Sequence, residues 1–385
     1  MKIFKLKDIS EFIRNGVTIK QDISSKEGIP ITRIETISKG TIDFNKLGYA
    51  NIFKIEKYKE WLLKKGDILI SHINSEKHLG KSAIYLDNNY DIIHGMNLLC
   101  IRAIDKKVFP EYLQLFFKTN QYKKQIKKIT KKSVNQASFS VNDFKEILIT
   151  VPDLNIQEKI IKKIKVLEKI LENNKLKLNY LSELTKSLFT RMFGDIKSND
   201  KNWKIYKFSE KLKISSGGTP SKANKIYWEN GTISWIGSNM CNDEIITKND
   251  GKFITEEGLK NSSAKIYKMN TVIVALVGAT IGKTGLLKFE TSTNQNIAAL
   301  EIKNMDYSPE FLFFLLQNLY YKFTELGGDT FKMANLSFIK NLPLISPPIE
   351  LQNKFAERIE KIEKLKFTIW KIISKVYKTL KKKGV

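Results

Sequence analysis

Two cysteines, Cys100 and Cys241, and three histidines, His72, His78 and His94, are the whole supply of thiol and imidazole metal ligands in this 385-residue chain. Their scatter matches no zinc spacing, which excludes a finger or ribbon. One cysteine in each half fits a reducing compartment without specifying a disulfide. Long apolar runs are missing too. None reaches the roughly 18 residues that mark a membrane-spanning helix, and the opening MKIFKLKDIS is too charged for a secretory signal. The expectation is a soluble, cytoplasmic protein with no membrane partner. Acidic residues are scarce: 40 Asp and Glu stand against 66 Lys and Arg, a formal charge of +26. Such a field draws polyanions and makes their binding salt-dependent. The basic residues run along the entire chain and are not gathered into one Trp-anchored amphipathic segment, which favours nucleic acid over a membrane surface. Hydrophobic residues at 42% are ample for two folded domains.

The stretch 152–194 organises the rest. Steps of four and three from Ile160 meet Ile164, Leu167, Leu171, Asn174, Leu178, Leu181, Thr185 and Leu188, the heptad spacing of a helix that packs against a partner. Asp153 is a candidate N-cap, no Pro or Gly interrupts, and Gly194 ends the run. Its length would be about 60 Å at 1.5 Å per residue. A second seam follows Phe355 through Ile359, Ile362, Lys366, Ile369, Ile373, Val376 and Leu380, with Leu365 and Ile372 expected to thicken the stripe. Polar seam residues such as Asn174 can set helix register.

Both helices begin alike. ILITVPDLNIQEK leads into the first and LPLISPPIELQNK into the second, each with a glutamine five residues after a proline: Pro152 with Gln157, Pro347 with Gln352. The similarity recurs upstream at an offset of roughly two hundred residues. LGKS at 79–82 matches IGKT at 281–284, GDILI at 66–70 matches NTVIV at 270–274, and PEYL at 110–113 matches PEFL at 309–312. The chain therefore reads as two copies of one unit, each a mixed domain followed by a long helix. In the first domain 68–71, 83–86 and 98–101 are expected strands, and a helix from Glu111 is expected to continue into QYKKQIKK.

Catalytic signatures are absent. GATIGKTG resembles a phosphate loop, but only three residues separate Gly278 from Gly282 where nucleotide binding needs four, and HINSEKHLGKS in the other copy has no upstream glycine. No dinucleotide fingerprint, nucleophile elbow or nuclease carboxylate–lysine cluster is found, and SPPI at 346–349 only echoes an amino-methylase motif. A strand-connecting turn whose lysine faces a nucleic-acid phosphate suits both copies better.

An ordered set runs along the chain: Trp203, Gly218-Thr219-Pro220, Tyr227-Trp228, the Trp235 strand, Ser262-Ser263, Ile281-Gly282, Asn294-Gln295-Asn296, the exit Pro347-Pro348 to Gln352, and LTKSLF followed by MFG at the end of the central helix. With this set and its duplicated architecture the chain resembles the specificity subunits of type I restriction-modification enzymes. The first domain departs from it: no Gly-Thr-Pro lies near Gly16, and HGMN at 94–97 stands in for the Asn-Gln-Asn. The resemblance implies an α+β fold with two pseudo-repeated target-recognition domains, at 1–151 and 195–346. They would be separated by long helices, 152–194 and 347–385, packed as an antiparallel coiled coil. It also implies a non-catalytic chain that reads a split, asymmetric site in double-stranded DNA, one half per domain. Two methyltransferase subunits would dock on it and carry S-adenosylmethionine; restriction subunits would carry ATP and Mg; the chain itself would bind no cofactor or metal.

Lys81, Lys222, Lys265, Lys283 and Lys332 are expected phosphate contacts. Expected base readers, as amides, hydroxyls, an arginine and a histidine on loops, are Arg33, His72, Asn74, Asn135 and Gln136 in the first domain and Thr219, Ser221, Asn239, Asn294 and Thr330 in the second. Trp203, Trp228 and Trp235 are assigned to cores. Two other classes remain open: a nuclease or nucleotide hydrolase using the Gly-Lys-Thr loop, and a basic coiled-coil scaffold binding nucleic acid without sequence preference. A specificity subunit of another methylase class is a third possibility.

Overall fold

A computed structural model describes residues 1–20, 27–87, 90–134, 136–326 and 333–382. The chain divides into two compact units, Met1–Lys175 with Trp370–Val385, and Leu176–Ile369. Each has its own core.

The duplication read from the sequence is present at the level of strand order. In the first unit a four-stranded antiparallel sheet runs Ser10–Asn15, Leu98–Ala103, Ile68–Ser71, Ser82–Ile84. In the second, Leu212–Ser216, Ile297–Ile302, Val272–Ala275 and Thr284–Leu287 follow the same order, and Glu244–Ile246 adds a fifth, parallel strand. The inner strands Ile68–Ser71 and Val272–Ala275 are buried at every residue, which explains why their sequences are continuous apolar runs rather than alternating ones. The expected strand at 83–86 is shorter and begins a residue earlier, at Ser82.

A two-stranded clasp closes each unit, pairing Lys2–Lys5 with Leu148–Val151 and Ile205–Lys207 with Pro343–Ile345. The clasp leads directly into a long helix, Leu154–Phe193 of 40 residues and Ile349–Lys382 of 34. Gln157 and Gln352 are fully buried and make the same three hydrogen bonds. Gln157 Oε1 accepts from the Phe109 N–H (2.9 Å), and its Nε2 donates to the carbonyls of Lys107 (3.1 Å) and Pro152 (2.8 Å). Gln352 Oε1 accepts from the Ser308 N–H (3.0 Å), and its Nε2 donates to the carbonyls of Asp306 (3.1 Å) and Pro347 (2.9 Å). The glutamine thus ties the proline exit and the first turn of the long helix to the loop before the PEYL or PEFL helix. Both polar atoms of the amide are satisfied in both copies, through three hydrogen bonds each.

The seam residues face inward. Ile164, Leu171, Ile359, Ile362, Ile373 and Val376 are buried, and Ile160, Leu167, Leu178, Leu181, Leu188 and Ile369 are half-buried. Within the second unit Phe189 and Phe193, at the end of the central helix, pack edge-on against Phe355 at the start of the C-terminal one, with centroids 5.5 and 5.3 Å away. Within the first unit Lys175 Nζ lies 5.9 Å from the ring centroid of Tyr377. Late residues of one helix thus meet early residues of the other, and the helices pair antiparallel. Gly194 ends the central helix at φ +84°, the left-handed conformation its side chain-free backbone tolerates.

Three expectations need correction. Leu365 and Ile372 do not thicken the seam; they flank it, 55% and 41% exposed. The helix at Glu111 does not run on: Pro110–Phe116 stops, and Thr119 caps a new helix, Asn120–Ile129, by accepting the Tyr122 N–H at 3.2 Å. Asn174 makes its recorded bond to its own helix, Nδ2 to the Ile170 carbonyl at 2.7 Å, rather than across the seam.

Candidate nucleic-acid interface

In the second unit an additional sheet orders Phe253–Ile254, Ile233–Ile236, Thr291–Thr293 and Ile266–Tyr267. Parallel pairing of Trp235 with Ser292 and of Ile236 with Thr293 sends two loops out together, 237–242 and 294–296. Antiparallel pairing of Ser234 with Phe253 brings the 249–252 turn beside them. A third loop, from Gly217, is held by two tryptophans. Trp235 Nε1 donates to the Gly218 carbonyl (2.9 Å), Trp228 Nε1 to that of Ser221 (3.2 Å), and the two rings stack edge-on at 5.2 Å. Both glycines of this loop are needed. A Cβ on Gly217 would lie 2.1 Å from the Thr293 carbonyl oxygen, and one on Gly218 would lie 2.3 Å from Ser263 Oγ.

The loops enclose a cleft of about 670 Å³ whose lining includes Lys222, Lys225, Trp228, Asn239, Lys252 and Asn294. Three expected site residues, Lys222, Asn239 and Asn294, are therefore brought together. Asn294 Oδ1 accepts the Asn296 N–H (3.2 Å). Asn239 Nδ2 reaches Asp250 Oδ2 at 3.5 Å, where Lys252 Nζ also donates at 2.6 Å. These bonds lower the Asp250 carboxyl, against the opposing effect of its partial burial. Thr219 stands nearby with its hydroxyl on Gln295 Oε1 at 2.5 Å. Cations for phosphate, amides for base edges and an indole wall are the chemistry a DNA groove meets.

Sequence reasoning missed Lys225, Lys252, Asp250 and Gln295. Only the strand register joins residues 250–252 to 235–239, and no local pattern announces it. The tryptophans assigned to cores are both things at once: Trp235 is 6% exposed, yet it and Trp228 form the cleft wall. Ser221 contributes its carbonyl to Trp228. Lys265 is exposed and lies apart from the cleft.

Lys283 is engaged within the fold. Its Nζ donates to Asp243 Oδ2 at 2.6 Å and sits 5.1 Å from the Tyr320 ring centroid; the Asp243 bond raises its pKa. Asp243 Oδ1 also accepts the Thr284 N–H (3.0 Å) and hydroxyl (3.1 Å), so the lysine fastens the fifth strand to the sheet edge. The GATIGKTG loop makes no phosphate cradle, because Gly282 packs against Phe323 and Tyr320, where a Cβ would come within 2.8 Å of the Phe323 ring.

In the first unit His72 is also held within the fold. It is 4% exposed, edge-on to Phe139, and burial pushes it down to about 4, so it is a neutral core ring at pH 7. Arg33 opens a single helical turn with its N–H on Thr36 Oγ1 (2.9 Å). Asn74 spends its amide locally, donating to Ser71 Oγ (3.1 Å) and accepting from the Ser75 N–H (2.7 Å). Gln136 is exposed, and its carbonyl takes the Ser133 N–H and hydroxyl. Lys81 Nζ donates to the Ser38 carbonyl at 2.9 Å. Asn135, Thr330 and Lys332 lie outside the described residues.

Among the described residues no cluster of His, Cys, Asp and Glu could hold a metal ion, and no helix is long and apolar enough to cross a membrane. Fold and cleft together define a duplicated mixed α/β chain whose two units each lead into a long helix. The family model of the type I restriction modification DNA specificity domain matches residues 1–181 and again 200–382, and the chain belongs to that family. A Methanocaldococcus jannaschii chain assigned as the MjaX type I restriction enzyme specificity subunit is 30% identical, over 94% of this chain and 87% of that one. The EcoR124I/EcoR124II specificity subunit of Escherichia coli is 26% identical over 44% of this chain and 42% of its own. Among solved structures, the S subunit of a type I restriction-modification system from M. genitalium superposes with a TM-score of 0.63 at 14% identity, covering 99% of this chain and 94% of that one, a likeness of fold. Membership makes the chain a recognition component and not itself a catalyst.

Proposed function

We propose that the chain reads a split, asymmetric DNA site, one half per recognition domain, and that the paired helices set the separation of the halves and dock two adenine methyltransferase subunits. S-adenosylmethionine would be held by those subunits, and ATP and Mg by restriction subunits that complete the complex. The observation that carries the reading is one frame with two different reading surfaces. Gln157 and Gln352 are held by identical bonds and the two main sheets share one strand order, while the sheet that carries the Trp-walled cleft of the second unit is reduced in the first to isolated bridges of Ile31 with Gly48 and Ile93 and of Leu62 with Ile93. Unlike readers on a common frame suit unlike half-sites. Docking is supported by large apolar side chains left exposed along the C-terminal helix, among them Leu365 and Trp370, each more than half exposed, a cost normally borne only where a partner covers it.

Co-expression with an adenine methyltransferase subunit, followed by mapping of methylated adenines, tests this. Methylation confined to one bipartite motif and dependent on this chain is the expected result. Affinity for DNA without sequence preference, and no methylase complex, would instead establish the basic-scaffold reading. Within the same assay Asn239→Ala and Asn294→Ala should relax one half of the motif only, each lowering discrimination there by about 10- to 100-fold, the worth of one base-edge contact of roughly 1–3 kcal/mol.

A further inference from the structure

The positive charge of the first unit is concentrated. A cleft of about 640 Å³ lies between the 79–82 turn and the helix Asn120–Ile129, and seven of its lining residues are lysines against a single carboxylate, Glu76. Glu76 is already committed to Lys132 at 2.9 Å, Lys118 reaches Glu168 at 3.3 Å, and Lys39 lies 3.6 Å from Asp43. Lys77, Lys123 and Lys127 have no carboxylate partner among the described residues. Lys123 and Lys127 are four apart on one helix face, an arrangement of like charges that costs helix stability. The floor is apolar, formed by Leu79, Phe117 and Ile126, with the Tyr122 hydroxyl turned away onto the Gly80 carbonyl at 3.1 Å.

The equivalent place in the second unit is different. Its turn lysine, Lys283, is neutralised by Asp243, and the following helix Tyr320–Thr324 carries only Lys322, which pairs with Glu325 at 3.4 Å. Among the described residues, therefore, the duplicated frame does not require a lysine cluster here, and the first copy alone carries it. The cleft also adjoins the sheet of Lys131–Lys132, Ala137–Ser138 and Ile73–Asn74, because Lys132 lines the cleft while Asn74 stands two strands away. Lys123 and Lys127, one helical turn apart, with Lys77 on the facing turn, fit successive phosphates of one strand, whereas a single small anion would leave most of the cleft lysines unpaired.

We propose that this cleft holds the sugar-phosphate backbone of DNA flanking the half-site of the first domain, an anchor independent of sequence that the second domain lacks. The proposal rests on the reading of the chain as a DNA-recognition subunit. Its test is the salt dependence of binding by the full chain, wild type against Lys77→Gln/Lys123→Gln/Lys127→Gln, on cognate duplexes with long or short flanks on either side. Each lost phosphate contact removes about 0.9 from the slope of log affinity against log salt, so the triple variant should be shallower by about 2 to 3. It should also lose the advantage that wild type gains from a long flank on one side, with the ratio of cognate to unrelated affinity unchanged. The matching triple arginine variant should keep the wild-type slope, which separates charge from damage to the fold. An unchanged slope in a wild type that binds DNA would overturn the proposal alone. Loss of discrimination would reassign the lysines to base reading, and loss of methylase binding with intact DNA binding would reassign them to a protein partner; either overturns it. Wild type without affinity for DNA would remove the functional reading and the proposal together.

Discussion

Acidification from pH 7 to pH 5 is expected to destabilise the first unit by up to about 4 kcal/mol and to spare the second, which contains no histidine. His72 and His94 are 4% and 1% exposed, and burial brings both down to about 4. In His72 a backbone bond at Asn97 opposes the shift, and Nδ1 has no partner among the described residues. For His94 the Leu98 carbonyl, at 2.8 Å from Nε2, and the nearby Asp67 favour the cation, while Arg14 disfavours it. The sign follows from proton counting. An unfolded histidine titrates near 6.5, so between about 6.5 and 4 the unfolded chain holds more protons than the native one. Stability is then lost as pH falls through that window, by about 1.4 kcal/mol per pH unit per histidine. Hydrogen exchange at the two pH values reads each unit separately: Ile68–Ser71 and Leu98–Ala103 should lose protection, while Val272–Ala275 should hold it. His72→Phe, which fills the site beside Phe139, should remove its share of the pH dependence. Equal loss in both units would refute the assignment of these rings as buried and neutral.

Gln157→Met and Gln352→Met are each expected to cost about 2–4 kcal/mol, although each keeps nearly the volume of the side chain it replaces. The methionine leaves one backbone N–H and two carbonyls without their partner in either copy. Buried groups stranded in this way cost about 1–3 kcal/mol apiece, and those near the surface recover part of it from water. The loss should appear as a lower denaturant midpoint confined to the unit carrying the substitution. Because the glutamine joins the domain exit to the first turn of its long helix, the variants should also fray that turn, measurable as faster exchange at residues 154–160 or 349–355. A cost below about 1 kcal/mol would mean that water enters and replaces the amide.

Much of this architecture is readable along the chain because it depends on local regularities. The seam residues recur at heptad spacing, and side-chain direction on a helix follows from spacing alone. The repeated Pro-to-Gln spacing is visible because the same hydrogen-bond geometry demands the same residues in both copies. The outer limits of the stripe were less readable: Leu365 and Ile372 are as apolar as their neighbours, and only the angular width of the partner helix excludes them. The same holds for Thr119, whose capping role competes with the helical pattern on both sides of it.

Site residues divide along the same line. Lys283 and Lys81 occupy matching turns, and no local feature distinguishes them. One meets Asp243, forty residues away, and the other meets the Ser38 carbonyl at the edge of a lysine-rich cleft. His72 reads as a polar loop residue, but the core closes over it. Asn239, Asn294 and Lys222 share a cleft through the parallel pairing of 235–236 with 292–293 and the tryptophan-held loop at 217–221. Duplication, the long helices, the excess of positive charge and the family itself were determined by the sequence, since periodicity, repeats and composition survive without coordinates. Which lysines are free, which histidines are neutral and which amides share a groove were decided by tertiary structure, because burial and pairing depend on residues that only the fold brings within a few ångströms.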